Sequence, residues 1–247
     1  MYVSMRSARA LAATFILAAL GSMGQAQAGP VTQGFEGLSA GTVVCGTSTF
    51  GPPVQGDPYV DFDIIAVGNQ GPSSAIIFDT AHPTGNDPDL GTPNQFFGGP
   101  GVGVGGIPGT PGENRVARSK VMIIPKYITD ANRDGKVDDP NDSAFGGSLT
   151  FVWAAPVLLN KITVVDFEES GGVINQFRNG QLVASFPIIP LGDNCQITIP
   201  TMTRQFIDRT QIIFPGSGAL AELVYDFSPL PVQQTTWGTI KSLYEAQ

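Results

Sequence analysis

A chain of 247 residues with 21 acidic against 13 basic side chains carries a formal charge of −8. That balance argues against nucleic acid as a partner, because a phosphate backbone is held by a basic face that displaces its counterions. One histidine and two cysteines leave too few groups for a Ser-His-Asp set or a thiolate–imidazole pair. Fifteen phenylalanines in a chain that is 42% hydrophobic suffice for one substantial core.

Met1–Ala28 opens with Arg6 and Arg9, continues through the apolar run Leu11–Leu20 and closes on Ala26-Gln27-Ala28, the pattern of a secretory signal peptide. The run is too short to span a bilayer, and no second stretch of ~18 apolar residues follows. The expectation is a protein exported to the extracellular side, starting near Gly29, with no transmembrane segment in its mature chain. Losing Arg6 and Arg9 leaves 11 basic against 21 acidic side chains, a surface suited to solubility and to cations.

The mature chain reads as short strands punctuated by Gly, Pro, Asn and Asp: Thr42–Phe50, Tyr59–Val67, Ser74–Asp79, Lys120–Tyr127, Ser148–Trp153, Leu158–Phe167, Val173–Arg178, Gln181–Phe186, Gln196–Ile199, Arg209–Phe214 and Leu220–Phe227. Asn179-Gly180 supplies the two positive-φ residues of a tight hairpin turn. Strands at this spacing predict an all-β antiparallel sandwich over 29–228. Gly91–Arg115, rich in glycine, reads as a long mobile loop. The tail 229–247 spaces Trp237, Ile240, Leu243 and Tyr244 by three or four, predicting a short amphipathic helix. Cys45 and Cys195 both fall in the exported part, where an oxidising compartment lets them pair as a disulfide; two buried thiols are the alternative. A bridge closing so long a loop would contribute ~4–5 kcal/mol in the chain-entropy model.

The strongest chemical signal is Asp130-Ala-Asn132-Arg-Asp134-Gly135-Lys136-Val-Asp138. Oxygen-bearing side chains at positions one, three, five and nine, a glycine at six and the Lys136 carbonyl at seven have the spacing of a Ca²⁺ loop. Position twelve departs from it: Asn141 stands there, with Asp142 one step on as a shifted ligand. A solvated acidic turn is the competing reading.

Three further segments are familiar: Phe35-Glu36-Gly-Leu-Ser-Ala-Gly-Thr-Val-Val44; Ile77-Phe78-Asp79-Thr80 through Pro83-Thr84-Gly85 to Asp87-Pro88-Asp89-Leu90; and Ser217-Gly218-Ala-Leu-Ala-Glu222. Together they resemble a family of secreted bacterial β-sandwich modules, many of which carry PEP-CTERM sorting tails. The resemblance runs from about Phe35 to Phe227 and implies a jelly roll of the carbohydrate-binding kind. This chain departs from the family in its Asp130–Asp138 insertion and in showing no PEP-CTERM ending.

Asp79, Asp87 and Asp89 surround a turn stiffened by Pro83 and Pro88, and close carboxylates repel unless protonated, hydrogen-bonded or bridged by a cation. With Glu36 and Glu222, at the two ends of the family match, they are candidates for a second, structural calcium site; Asx-turn capping is the alternative. Phe96 and Phe97, adjacent aromatics in a polar glycine-rich segment, are the candidate ligand contacts, whereas Trp153 reads as core. An enzyme would have to use carboxylates two apart on one strand, Asp61 with Asp63 or Asp166 with Glu168. The reading is an exported, calcium-binding, noncatalytic module that binds polysaccharide or associates with the cell surface. A matrix or surface structural protein binding other proteins is the alternative, and a glycoside hydrolase the third.

Overall fold

The computed structural model describes residues 29–46 and 59–227. The expected signal peptide, the end of the first predicted strand and the C-terminal helix lie outside the described residues. The architecture is the expected one: eleven antiparallel strands and, among the described residues, no helix beyond two single 3-10 turns. No described helix is long and apolar enough to cross a membrane.

The strands are β1 (Val31–Gln33), β2 (Val43–Gly46), β3 (Phe62–Gly68), β4 (Ser74–Asp79), β5 (Lys120–Ile123), β6 (Gly147–Phe167), β7 (Val173–Arg178), β8 (Gln181–Pro187), β9 (Gly192–Pro200), β10 (Ile207–Phe214) and β11 (Ala219–Phe227). They form two layers that share one strand. The first runs β3-β6-β10-β7-β8, using Gly147–Trp153 of β6 for β3 and Gly147–Val157 for β10. The second runs β2-β4-β5-β11-β6-β9, using Val157–Val165 of β6 for β11 and Lys161–Phe167 for β9, with β1 added to β11.

The sequence suggested two strands, Ser148–Trp153 and Leu158–Phe167, where the structure has the single 21-residue β6. Pro156, which lacks a ladder N–H, falls where β6 leaves one layer for the other. There the register with β10 slips between Ile207 and Arg209, so no partner is denied a hydrogen bond.

Between the layers the core is aromatic. Trp153 and Tyr225 meet from opposite layers with ring centroids 4.7 Å apart, and Phe62 packs edge-on against both Phe151 and Trp153. Trp153 donates its indole N–H to Thr210 Oγ1 at 3.0 Å, and Tyr225 its hydroxyl to Asp61 Oδ2 at 2.6 Å, so both large rings are buried with their polar atoms paired. The far face of the second layer is also buried. Val43, Ile76, Phe78, Val121 and Ala221 pack there under Leu90 and Val137 from the connections.

The glycine-rich segment is not the loose loop its composition suggested. Asn94, Asn114 and Asn194 are fully buried and hold it: Asn94 donates to Gly103 O and to Asn194 Oδ1, Asn114 to Gly91 O, and Asn194 to Asp89 O and Gly91 O, at 2.5–3.0 Å. The glycines are there for contact. A Cβ on Gly103 would lie 2.5 Å from the Asp193 carbonyl oxygen, too close for any side chain, so the segment lies flat on the start of β9.

Cys45 and Cys195 do not form the expected disulfide. They sit on β2 and β9, the two edges of the second layer with four strands between them. Five strand spacings amount to roughly 24 Å across the sheet, whereas a disulfide needs Cα atoms within about 7 Å.

Candidate functional site

The Asp130 loop joins β5 to β6 and is tethered by Val137, whose N–H donates to Gly41 O at 2.8 Å and whose side chain is buried. Arg133 and Gly135 take positive φ, 62° and 86°, which folds the chain back on itself. The backbone N–H of Asp134 then donates to Asp130 Oδ1 at 3.1 Å and Asn132 Oδ1 at 2.8 Å, that of Gly135 to Asp130 Oδ2 at 3.1 Å and that of Lys136 to Asp134 Oδ1 at 2.9 Å. Asp138 Oδ2 closes the ring by accepting from the Ala131 N–H at 2.6 Å. One carboxylate oxygen from each of Asp130, Asp134 and Asp138 lies within 4.8 Å of the other two. Oxygens at 2.3–2.6 Å from one centre would be spaced that closely, and an all-oxygen donor set fits a hard cation.

The loop is not completed as expected at its far end. Asn141 turns its amide to Gly85 O, and Asp142 belongs to a different cluster. The cause is backbone pairing: Lys126 N–H donates to Asn141 O and Ser143 N–H to Ile124 O, both at 2.9 Å, which extends β5 and carries Asp142 inward.

That second cluster is buried. Asp142 Oδ2 accepts from Ser217 Oγ at 2.7 Å and from the Gly218 N–H at 2.6 Å. Asp166, fully buried, accepts from the Asn194 N–H at 2.7 Å and lies 2.9 Å from Ser217 Oγ. Asp87 Oδ2 accepts from the Asp142 N–H at 3.2 Å. A hydroxyl has one proton, so Ser217 donates to only one of the two aspartates at a time, and a proton on the other would let it donate to Ser217 in turn. The electrostatics agree. Burial, with the Asp89 charge adding to it, pushes Asp166 up to about 7, and burial raises Asp142 as well. Burial and the adjoining Asp89 and Asp142 carboxyls push Asp87 up to about 10.

Of the five acids expected to converge, only Asp87 and Asp89 do. Asp79 pairs with Lys120 at 2.8 Å and His82 at 3.3 Å. Glu222 is held between Arg118 and Lys161, both at 3.1 Å, and Glu36 is exposed. Salt-bridge partners on β5 (Lys120), just before it (Arg118) and on β6 (Lys161), invisible in the local spacing, thus neutralise Asp79 and Glu222 separately. The carboxylate pair Asp166 and Glu168 also fails. A register shift between Val165 and Phe167 puts Asp166 at φ 57° and inside, while Glu168 is outside, where a hydrogen bond with the Asp193 carboxyl raises it to about 8. Asp61 is engaged by Tyr225, as above, and Asp63 is exposed. Phe96 is 64% exposed, and Phe97 lies beneath the Arg115 guanidinium, 5.1 Å from its ring centre.

Sequence reasoning missed Asp142, Asn194 and Ser217 as partners of Asp87 and Asp166. One signal was present: an aspartate interrupting the apolar run Ile162–Phe167 has to find partners inside.

The fold and these clusters define an antiparallel β-sandwich with a surface loop on which three carboxylates converge. No family model and no curated relative matches the chain. Among solved structures, it is similar at a TM-score of 0.28 and 11% identity to a His 62 mutant of the lectin binding domain of Lectinolysin complexed with Lewis b, over 36% of this chain and 70% of that one. A second is a fucolectin from striped bass (Morone saxatilis) serum, at a TM-score of 0.24 and 17% identity over 34% of each chain. The overlap with the fucolectin thus spans about a third of its length, and both leave most of this chain unmatched.

Proposed function

We propose that this chain is an exported, noncatalytic β-sandwich module that binds calcium through Asp130, Asn132, Asp134, Asp138 and the Lys136 carbonyl, with carbohydrate as its ligand class. The observation that carries the calcium reading is the convergence of the Asp130, Asp134 and Asp138 carboxylates within 4.8 Å on a loop whose glycine has the backbone conformation the motif needs. Millimolar calcium outside cells would fill even a site with a Kd of ~10⁻⁴–10⁻³ M. Export rests on the N-terminal pattern and carbohydrate on the sequence resemblance. The noncatalytic reading rests on the single histidine, exposed and tied to Asp79, and on the burial of Asp166, which leaves Glu168 at the surface without it.

The test is thermal melting of the mature protein in calcium and in chelator, for the wild type and for Asp130→Ala/Asp134→Ala. A cation that binds only the folded state adds ~2.7 kcal/mol at a hundredfold excess over Kd. The shift should vanish in the double variant; no shift in the wild type refutes the calcium reading. A second cation at Asp87 and Asp89, expected from the sequence, would have Asp142 as its neighbour in place of Glu36, Asp79 and Glu222. A calcium shift that survives the double variant but not Asp87→Asn would place calcium there.

A further inference from the structure

The outer face of the first layer carries side chains that belong to neither core cluster. Strand register arranges its side chains in rows. Asp63, Val152, Arg209 and Phe177 lie side by side across β3, β6, β10 and β7, and Ile65, Thr150, Gln211 and Asn175 form the next row. A groove of about 290 Å³ lies on this face, lined by Ile65, Thr150, Val152, Phe177, Arg209 and Gln211, and Ile65 is 53% exposed.

Its chemistry is mixed. Arg209 lies over the Phe177 ring, 4.1 Å from guanidinium carbon to ring centre, and among the described residues it has no ion pair. Its sequence neighbour Asp208 points away, accepting from the Asn179 N–H at 2.6 Å. Asp63 stands at the rim, two strand spacings or roughly 10 Å from Arg209. Stacking on an aromatic face removes water from a guanidinium and leaves its planar N–H fork open, the arrangement that takes a carboxylate through two parallel hydrogen bonds. Beside it, Ile65 and Val152 offer an apolar floor for the C–H face of a sugar ring, and Gln211 and Thr150 offer donors and acceptors for hydroxyls. A single cation on a chain of charge −8 suits one carboxylate on an otherwise neutral polymer and opposes a run of phosphates.

We propose that this groove binds a glycan bearing a uronic acid, with Arg209, stacked on Phe177, clamping the sugar carboxylate and Ile65, Val152, Thr150 and Gln211 receiving the adjoining rings. The proposal rests on the reading of the chain as a carbohydrate-binding module and moves its contact site from the Phe96–Phe97 turn to the sheet.

Two probes differing by one glucuronic acid branch, which brings the only carboxylate, test it: glucuronoxylotriose and xylotriose, titrated into the mature protein by calorimetry. Glucuronoxylotriose should bind at least tenfold more tightly. Arg209→Gln should abolish the difference, and Arg209→Lys, which keeps the charge without the fork, should retain part of it. Failure of glucuronoxylotriose to bind, equal affinity for the two sugars, or preference surviving in Arg209→Gln would overturn the proposal. Sedimentation of the free protein covers the remaining occupant: a concentration-dependent dimer dispersed by Arg209→Gln would make the face a self-association surface. Titrations run in both calcium and chelator separate the two readings. A calcium-induced melting shift without sugar binding sinks the groove alone, whereas preferential, Arg209-dependent binding without any calcium shift sinks the calcium loop alone.

Discussion

Replacing Asp166 by Asn tests whether the interior holds a protonated acid. Asn keeps the shape: its oxygen accepts from the Asn194 N–H and its amide donates to Ser217 Oγ, freeing the Ser217 hydroxyl for Asp142. In the folded chain Asp166 is raised from 3.8 to about 7. A carboxyl with a raised folded pKa contributes stability that is fully present below the unfolded value and lost as pH rises through the folded one. The calcium-free wild type should therefore lose up to ~4 kcal/mol between about pH 4 and pH 7 on this account alone, while the variant, which cannot ionise, loses none of it. Urea unfolding of both proteins in chelator, at steps of one pH unit from 4 to 8, reads the difference directly. The variant should match the wild type near pH 4 and exceed it progressively toward pH 7. A difference independent of pH, or a variant that becomes relatively weaker as pH rises, would mean that Asp166 is an ionised ligand and would refute the reasoning.

Gly135→Ala forces a side chain into a backbone of φ 86°, which costs ~1–2 kcal/mol; calcium affinity measured by titration should fall at least several-fold, and an unchanged affinity would remove the loop from consideration. Gly103→Ala brings a Cβ to 2.5 Å from the Asp193 carbonyl and should lower the melting temperature clearly, by 2–4 °C for each ~1 kcal/mol, whereas Gly37→Ala, with no atom within 4 Å, should not. Reductant should leave the melting temperature unchanged, because Cys45 and Cys195 are not bridged. Cys195 should react with a thiol reagent only on unfolding, its thiol being buried and pushed up to about 11. Trp153→Phe loses the bond to Thr210 and part of the Tyr225 contact and should cost ~1–3 kcal/mol in urea unfolding.

Local spacing carried the elements whose signals are local. Alternation in Phe62–Val67 is reproduced side chain by side chain, with Phe62, Ile64 and Ala66 inside and Asp63, Ile65 and Val67 outside. The Asn179-Gly180 turn joins β7 to β8 as its two positive φ values require. The Asp130–Asp138 oxygens converge because all are within nine residues and a glycine bends the chain between them. Spacing failed where partners came from afar. Glu222 looked like a candidate ligand until Arg118 and Lys161 were brought to it, and Asp142 looked like the end of one loop until pairing with β5 carried it to Ser217 and Gly218. The Gly91–Arg115 segment failed for a related reason. Glycine signals freedom in isolation, but here it permits contact with the β9 backbone, and the asparagines that fix it, Asn94, Asn114 and Asn194, are up to 100 residues apart in the chain.

By itself, then, the sequence determined an all-β chain of acidic balance, its main strand runs and one oxygen-lined loop, since alternation, turn chemistry and ligand spacing act over a few residues. Only the tertiary structure decided that β6 serves both layers, that the two cysteines stand on opposite edges, that Asp87, Asp142 and Asp166 share a buried cluster, and that Arg209 meets Phe177 across β10 and β7. Each of these depends on strand order, and strand order follows from which faces bury together, a property of the whole chain that no local window contains.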